Sequence, residues 1–93
     1  MIRSFNSKEA EKIWNGKISK KLPFEIQERA RRKLRMLNNS NELINLLIPP
    51  SNRLENLKGD RKGQNSIRIN DQWRICFKFE NGNCYYVENA DYH

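Results

Sequence analysis

The residues of this sequence that are best suited to chemistry stand at its end. The chain's one histidine, His93, is the last residue and directly follows Asp91 and Tyr92. An imidazole suits proton transfer because its unperturbed pKa of about 6.5 lies near working pH. The phenol of Tyr92 can also transfer a proton, or it can stack on a base. The chain end therefore combines an acid–base group with a phenol and a carboxylate.

Metal-dependent chemistry has little support in the sequence. Cys76, Cys84 and the terminal His93 match no zinc-binding spacing. We find no carboxylate cluster of the two-metal nuclease kind, no glycine-rich phosphate loop and no serine nucleophile motif. The sequence therefore predicts a protein without a metal ion or another cofactor.

The positive charge is concentrated in the first part of the chain. The formal net charge is +7, and residues 1–37 hold eleven basic and four acidic residues, whereas residues 38–93 hold seven of each. Such a cationic surface attracts polyanions: RNA, DNA, an acidic protein or an anionic membrane. No apolar run is long enough to span a membrane, and the N-terminus lacks an apolar signal core. We expect a cytoplasmic protein that does not bind membranes.

The clearest predicted element is a helix from Pro23 to Asn38. It has an apolar stripe made of Ile26, Ala30, Leu34 and Leu37. Five cations lie outside this stripe: Arg31, Arg32 and Arg35 point away from it, and Arg29 and Lys33 flank it. These cations either form a solvated face or bind an external anion. The second alternative is supported by the small number of local acidic partners, which are only Glu25 and Glu28.

The remaining pattern predicts one small α+β domain over residues 1–93, with N-terminal helices packed on a small antiparallel sheet. A first helix begins after Ser7 and ends at Gly16, and a short one covers 42–48. Residues 49–63 are predicted as a loop. Strands are predicted at 2–5, 66–69, 73–79 and 83–89.

Alternation in the middle strand places two kinds of side chain on opposite faces. The face predicted to lie under the helices holds Trp73, Ile75, Phe77 and Phe79. The other face, expected to be partly open, holds Arg74, Cys76 and Lys78.

The turn at Asn81-Gly82 predicts a two-residue hairpin loop. This loop pairs Phe79 with Cys84 and Cys76 with Val87. The two thiols then project from opposite faces, so we expect reduced cysteines without a disulfide.

These residue types suit metal-free cleavage of RNA, which supplies its own nucleophile. The 2′-OH attacks the adjacent phosphate when a base removes its proton, and an acid protonates the leaving 5′-oxygen. Cations stabilise the charged phosphorane. Arg74, on the face expected to be open, and His93 are candidates for two of these roles.

Three segments resemble the HigB-type toxins of the RelE/ParE superfamily. They are Leu54–Gly63, with the run L-K-G-D-R-x-G, Ser66–Ile75, with the W-R strand, and the terminal D-Y-H of residues 91–93. The similarity also includes the opening residues 2–5. It covers nearly the whole chain and is most specific in the second half.

The resemblance implies a RelE-like fold and a toxin of a type II toxin–antitoxin system. Such a toxin is a ribosome-dependent mRNA endonuclease, neutralised by a helix-turn-helix antitoxin of HigA type. Lys58 and Arg74 would contact and stabilise the scissile phosphate. Asp91 and His93 would take part in proton transfer or in orienting the proton donor, and Tyr92 would position or stack on the substrate. Where some members have a histidine, this chain has Glu55, a further candidate for the base.

The resemblance also gives the basic residues a partner, because ribosomal RNA and mRNA present dense phosphate surfaces. The predicted RNA- and ribosome-binding residues are Arg29, Arg31, Arg32, Lys33, Arg35, Arg53, Arg61 and Arg68.

Two alternatives remain open at the level of sequence. One is a non-catalytic inhibitor of DNA gyrase, as in the ParE branch of the superfamily, and a supercoiling assay would test it. The other is a nucleic-acid-binding protein without catalytic activity. The terminal Asp91-Tyr92-His93 favours the enzyme over the gyrase inhibitor. Full-strength RNA binding without a cleavage product in the presence of ribosomes would support the binding protein.

Overall fold

The computed structural model describes residues 1–91. The predicted strand at 2–5 is wrong, because Ile2 and Phe5 form only isolated bridges, to Cys84 and Val87. Two helices, α1 (Lys8–Trp14) and α2 (Phe24–Asn39), precede four strands. The strands are β1 (Glu55–Asn56), β2 (Asn65–Arg68), β3 (Trp73–Glu80) and β4 (Asn83–Asp91). They form one antiparallel sheet in the order β1-β2-β3-β4. The predicted α+β architecture is confirmed.

The two helices form where capping and apolar spacing predict them. Ser7 caps α1 by accepting a hydrogen bond at its Oγ from the backbone N–H of Ala10, at 3.1 Å. Pro23 caps α2 rather than opening it as its first residue. The apolar stripe of α2 is buried against the sheet, with each of its four residues at most 3% exposed. No helix within residues 1–91 has the length and apolar character of a membrane span.

The core lies between the helices and one face of the sheet. Ile75 and Phe77 of β3 are buried there, together with Ile67 of β2 and Val87 of β4. Trp73 and Phe79 are half-buried at its edge. The prediction that this face of β3 is covered by the helices is therefore confirmed.

The prediction of a loop over residues 49–63 is only partly correct. This segment contains β1 and two short 3-10 helices, Pro50–Asn52 and Gly59–Arg61. Residues Leu43–Leu47, predicted as a helix, also form a 3-10 helix. β1 pairs with β2 by placing Glu55 opposite Ser66. A strand of two residues is too short for alternation to reveal it.

The predicted hairpin register is correct only near the turn. Phe79 pairs with Cys84 as expected, but Cys76 pairs with Glu88 instead of Val87. A β-bulge separates the two regions, and Tyr86 within it has a φ of 57°. The extra residue turns Val87 into the core and leaves Tyr86 exposed.

The two cysteines are buried and are not joined in a disulfide, as expected. The two thiols still lie on opposite faces of the sheet despite the bulge. Cys84 pairs with Phe79 and shares its face, whereas Cys76 lies three residues before Phe79 on β3 and therefore on the other face. Burial raises the pKa of the Cys84 thiol to about 11. Cys84 therefore remains a thiol at neutral pH.

The expectation of a partly open second sheet face is wrong for Arg74 and Cys76. Arg74 is only 7% exposed and Cys76 is fully buried, whereas Lys78 is exposed. Polar groups of residues 53 and 66 close over the Arg74 side chain. Only the β3 end near the hairpin turn is open.

Asn52 holds the segment after α2 in place. It is fully buried, and its Nδ2 donates hydrogen bonds to the carbonyls of Leu46, at 3.1 Å, and Ile48, at 3.4 Å. Its Oδ1 accepts a hydrogen bond from Lys33 Nζ of α2 at 2.5 Å. One amide thus joins α2 to residues 46–52.

We predict that Asn52→Ala lowers the free energy of unfolding by about 1–3 kcal/mol, because it leaves a buried ammonium and two carbonyls without their partner. Urea denaturation measures the change. Asn39→Ala is the control, since Asn39 is exposed at the end of α2, and it should shift stability by less than about 0.5 kcal/mol. Equal stability of the two variants would contradict this role of Asn52.

Candidate active site

Arg74 is held at a fixed position in the middle of the sheet. Its Nε donates a hydrogen bond to Ser66 Oγ at 2.8 Å, and its Nη2 donates to the carbonyls of Ser66, at 3.3 Å, and Arg53. In the sheet, Arg74 lies between Arg68 of β2 and Ala90 of β4. These bonds fix the plane of the guanidinium through neutral acceptors, so its positive charge remains available.

Arg53 reaches the site through an unusual backbone conformation. Its φ of 44° and ψ of 56° lie in the left-handed region, which a residue with a Cβ seldom adopts. This conformation follows the 3-10 helix Pro50–Asn52 and turns the Arg53 carbonyl towards Arg74. Left-handed residues of this kind are concentrated at functional sites.

Glu55 is the acidic residue next to Arg74. Its Oε1 lies 3.9 Å from Arg74 Nη1, and its side chain is 56% exposed. Nη1 makes no hydrogen bond to any other group within residues 1–91, so its N–H groups can bind an anion. A carboxylate and a guanidinium with free donors therefore lie side by side at the protein surface.

A cavity of about 320 Å³ opens beside these groups, and we call it the Arg74 cavity. Its lining comprises Arg53, Arg68, Asn70, Asp71 and Arg74. Arg68 forms an ion pair with Asp71, whose side chain is 98% exposed. Three guanidinium groups around one cavity suit a phosphate, whose oxygens accept paired N–H donors.

Lys58 lies on the neighbouring loop and is exposed at the start of the 3-10 helix Gly59–Arg61. The loop closes through a hydrogen bond from the Leu57 N–H to the Gln64 carbonyl at 2.9 Å. Arg61 Nη1 also forms an ion pair with Glu88 Oε1 of β4 at 2.6 Å. This ion pair, which we call the loop clamp, holds the Lys58 loop against the sheet.

Asp91 ends the described part of β4 and lies opposite Trp73 at the start of β3. Its Oδ2 accepts a hydrogen bond from Gln72 Nε2 at 3.1 Å. The register therefore brings the end of β4 beside the start of β3, one residue from Arg74. The predicted site residues Tyr92 and His93 lie outside the described residues.

The five cations of α2 differ in what they contact. Arg31 does not point away from the core as its helical position suggested, because its Nε donates to the Ile13 carbonyl at 3.0 Å and ties α2 to α1. Arg29 Nη1 donates to the Ile69 carbonyl at 3.3 Å. Arg32 and Arg35 are exposed and have no ion-pair partner within residues 1–91. Only these two match the expectation of cations without partners.

Lys33 is buried although its position at the edge of the stripe predicted a flanking cation. It is 8% exposed, and its Nζ contacts Asn52 Oδ1. Burial lowers the pKa of Lys33, and the charges of Arg29, Arg32 and Arg68 lower it further. An anion bound nearby would offset the repulsion from these three arginines.

Sequence reasoning missed the polar residues that position the cations. Ser66 and Asn52 contact Arg74 and Lys33, but an isolated serine or asparagine gives no pattern in a sequence. The one available signal for Ser66 was its place in the strand next to Arg74, opposite Cys76. Among residues 1–91, no three histidine, cysteine or acidic residues are grouped so that they could hold a metal ion.

The chain is a small α+β protein in which three arginines line one cavity. The family model that matches residues 3–93 is that of the RelE-like toxins of type II toxin–antitoxin systems, HigB. The chain belongs to this family, and the resemblance predicted from its motifs is confirmed.

Two curated relatives support this assignment. The chain is 33% identical over 93 residues to the endoribonuclease HigB of Proteus vulgaris, and the match covers 100% of both proteins. It is 36% identical over 83 residues to the toxin HigB-1 of Vibrio cholerae, which covers 88% of this chain and 87% of the relative.

Two solved structures share the fold. YafQ from Escherichia coli BL21(DE3) is 14% identical, with a TM-score of 0.66, and the match covers 98% of this chain and 91% of YafQ. The YoeB–YefM complex from Staphylococcus aureus contains a chain that is 16% identical, with a TM-score of 0.62. That match covers 100% of this chain and 98% of the other.

We predict that Glu88→Gln speeds hydrogen exchange at the Leu57 amide, because it removes the loop clamp. Opening of the Lys58 loop should become easier by about 1 kcal/mol, the upper range for a partly exposed ion pair. Glu80→Gln is the control, since Glu80 pairs with Lys78 at 3.5 Å on the exposed hairpin. Unchanged exchange at Leu57 in Glu88→Gln would show that the clamp does not hold the loop.

Proposed function

We propose that this protein is an endoribonuclease that cuts mRNA on the ribosome by using the RNA's own 2′-OH. The observation that carries the proposal is the buried, fixed guanidinium of Arg74, which lines the Arg74 cavity and lies 3.9 Å from the exposed carboxylate of Glu55. Membership of the HigB family and similarity to a relative named as an endoribonuclease support the same reaction. Both also favour it over a gyrase inhibitor of ParE type.

The first step is binding of the scissile phosphate by the Arg74 cavity. Arg74 Nη1 and the guanidinium of Arg53 donate hydrogen bonds to its non-bridging oxygens, and the exposed Lys58 adds a third cation. The same donors stabilise the extra negative charge of the phosphorane. Because Ser66 and the Arg53 carbonyl already orient Arg74, little reorganisation is needed as the charge develops.

Proton transfer in the reaction is divided between two groups. Glu55 takes the proton of the 2′-OH as the 2′-oxygen forms a bond to phosphorus. His93 gives a proton to the 5′-oxygen as the bond from phosphorus to that oxygen breaks. The products are a 2′,3′-cyclic phosphate and a 5′-hydroxyl end. Asp91 orients His93, and Tyr92 stacks on the substrate.

The basic surface places the protein on its partners. Arg35, without an ion-pair partner in residues 1–91, contacts ribosomal RNA, whereas Arg31 and Arg61 mainly hold the fold. The antitoxin is a helix-turn-helix protein of HigA type, and both proteins act in the cytoplasm. One solved neighbour, YoeB–YefM, is itself a complex of a toxin with its antitoxin.

We predict that His93→Ala abolishes mRNA cleavage, since the leaving 5′-oxygen then lacks its acid. A translating extract with a reporter mRNA measures cleavage, with mapping of the new ends and analysis of their chemistry. Lys20→Gln, which changes an exposed residue outside the Arg74 cavity, should cut at the parental rate. Undiminished cleavage by His93→Ala, or 3′-hydroxyl products, would reject the mechanism.

We predict that Glu55→Gln slows cleavage by a factor of about 10²–10⁴, because the amide keeps the size of the side chain but cannot act as a base. Glu55→His should recover part of the activity with a different pH dependence, rising through about pH 6.5 as the new imidazole loses its proton. Single-turnover cleavage across pH measures both. A parental rate in Glu55→Gln would place the base elsewhere.

A further inference from the structure

A second basic pocket lies next to the Arg74 cavity, between α2 and the end of β2. We call it the α2 pocket. Its volume is about 350 Å³, and its polar lining comprises Arg29, Arg32, Lys33, Ser51 and Arg68. Met36 and Ile69 supply its apolar wall. Neither the proposed cleavage steps nor the family's motifs assign a role to this pocket.

Three of the four cations of the α2 pocket are held by neighbouring groups. Lys33 forms part of its lining, is 8% exposed and is held by Asn52 at 2.5 Å. Arg29 is anchored to the Ile69 carbonyl, and Arg68 is anchored by Asp71. A pocket whose cations are already oriented loses little side-chain freedom when a ligand binds.

The charge of the α2 pocket is not balanced by its own residues. Four cations line it and no carboxylate does, while Asp71 reaches Arg68 from the neighbouring cavity. Burial lowers the pKa of Lys33, and repulsion from Arg29, Arg32 and Arg68 lowers it further. A bound anion would relieve this repulsion.

The two cavities adjoin at Arg68, which lines both of them. A single carboxylate of a protein would fill one cavity, whereas an RNA strand carries a negative charge at every nucleotide. Two adjoining pockets that share one arginine therefore match two successive phosphates better than they match an isolated acidic side chain.

We propose that the α2 pocket binds a phosphodiester of the RNA strand adjacent to the one held in the Arg74 cavity. Lys33, Arg29 and Arg32 contact its non-bridging oxygens, Ser51 donates its hydroxyl, and Arg68 bridges the two phosphates. The α2 pocket thereby fixes the direction in which the strand crosses the sheet. This inference rests on the proposed function, since it takes the ligand of the Arg74 cavity to be RNA.

The test is binding of a short oligouridylate whose 2′-hydroxyls are all methylated, so that the protein cannot cut it. Fluorescence anisotropy across a series of potassium chloride concentrations gives the affinity and its salt dependence. Each phosphate contact contributes about 0.7 to the slope of log affinity against log salt for a single strand. Arg32→Gln, at an exposed position, and Lys33→Met should each lower that slope by up to about this amount and weaken binding several-fold.

A second readout does not depend on a substitution. NMR titration of the Lys33 ammonium should show its pKa rising when the methylated oligouridylate binds, because the phosphate offsets the charges of Arg29, Arg32 and Arg68. Asn52, the other group at Lys33 Nζ, is neutral and does not titrate.

Lys20→Gln is the matched control for the anisotropy measurement. It removes one exposed positive charge outside both cavities and should keep the parental salt slope.

The outcomes separate this inference from the proposed function. A reduced slope in Arg32→Gln supports the second phosphate site even if the parent protein cuts no mRNA. Parental slopes in both pocket variants together with an unchanged Lys33 pKa overturn it, even if mRNA is cut. Tight binding of polyglutamate that depends on Arg32 and Lys33, without binding of the oligouridylate, also overturns it and assigns the pocket to an acidic protein.

Discussion

The buried guanidinium of Arg74 is the interaction on which the rest of the site depends. Removing a cation from water costs several kcal/mol unless hydrogen bonds replace its hydration. Ser66 and the Arg53 carbonyl supply those bonds, which requires the left-handed turn at Arg53 and the pairing of β2 with β3. The acceptors that bury Arg74 are neutral, so the fold fixes the guanidinium without neutralising its charge. Glu55, exposed and 3.9 Å away, is its nearby counter-ion.

The elements that position Arg74 could largely be predicted from local sequence. The spacing of Ile26, Ala30, Leu34 and Leu37 determines the buried face of α2, and all four are in the core. The Asn81-Gly82 turn fixes the hairpin and its first pair, Phe79 with Cys84. Both signals depend on residues a few positions apart, so the pattern is contained within a short segment. The family motifs then identified Arg74, Lys58 and the chain end as candidates.

The burial of particular polar side chains could not be predicted, because it depends on contacts between distant segments. Lys33 has the position of a surface cation on α2. It can be buried because Asn52, 19 residues later, accepts a hydrogen bond from its ammonium. Arg74 alternates with core residues and so seemed exposed, yet residues 53 and 66 cover it. The bulge at Tyr86 likewise had no local signal in the sequence. It places the Val87 side chain in the core and leaves Tyr86 exposed.

Net charge alone also fails to show which cations are available to a ligand. Arg31 and Arg32 are neighbours in sequence, but Arg31 donates to the Ile13 carbonyl of α1 while Arg32 opens onto the α2 pocket. The difference is about 100° of rotation around the helix axis. An arginine satisfied by backbone carbonyls contributes to stability, whereas unpaired cations that repel one another oppose it. A protein that keeps such cations together sacrifices stability at a site, a cost that proteins tend to accept where a ligand binds. Binding of an anion to the folded state then recovers that stability, which links recognition of a polyanion to the rigidity of α2 and β2.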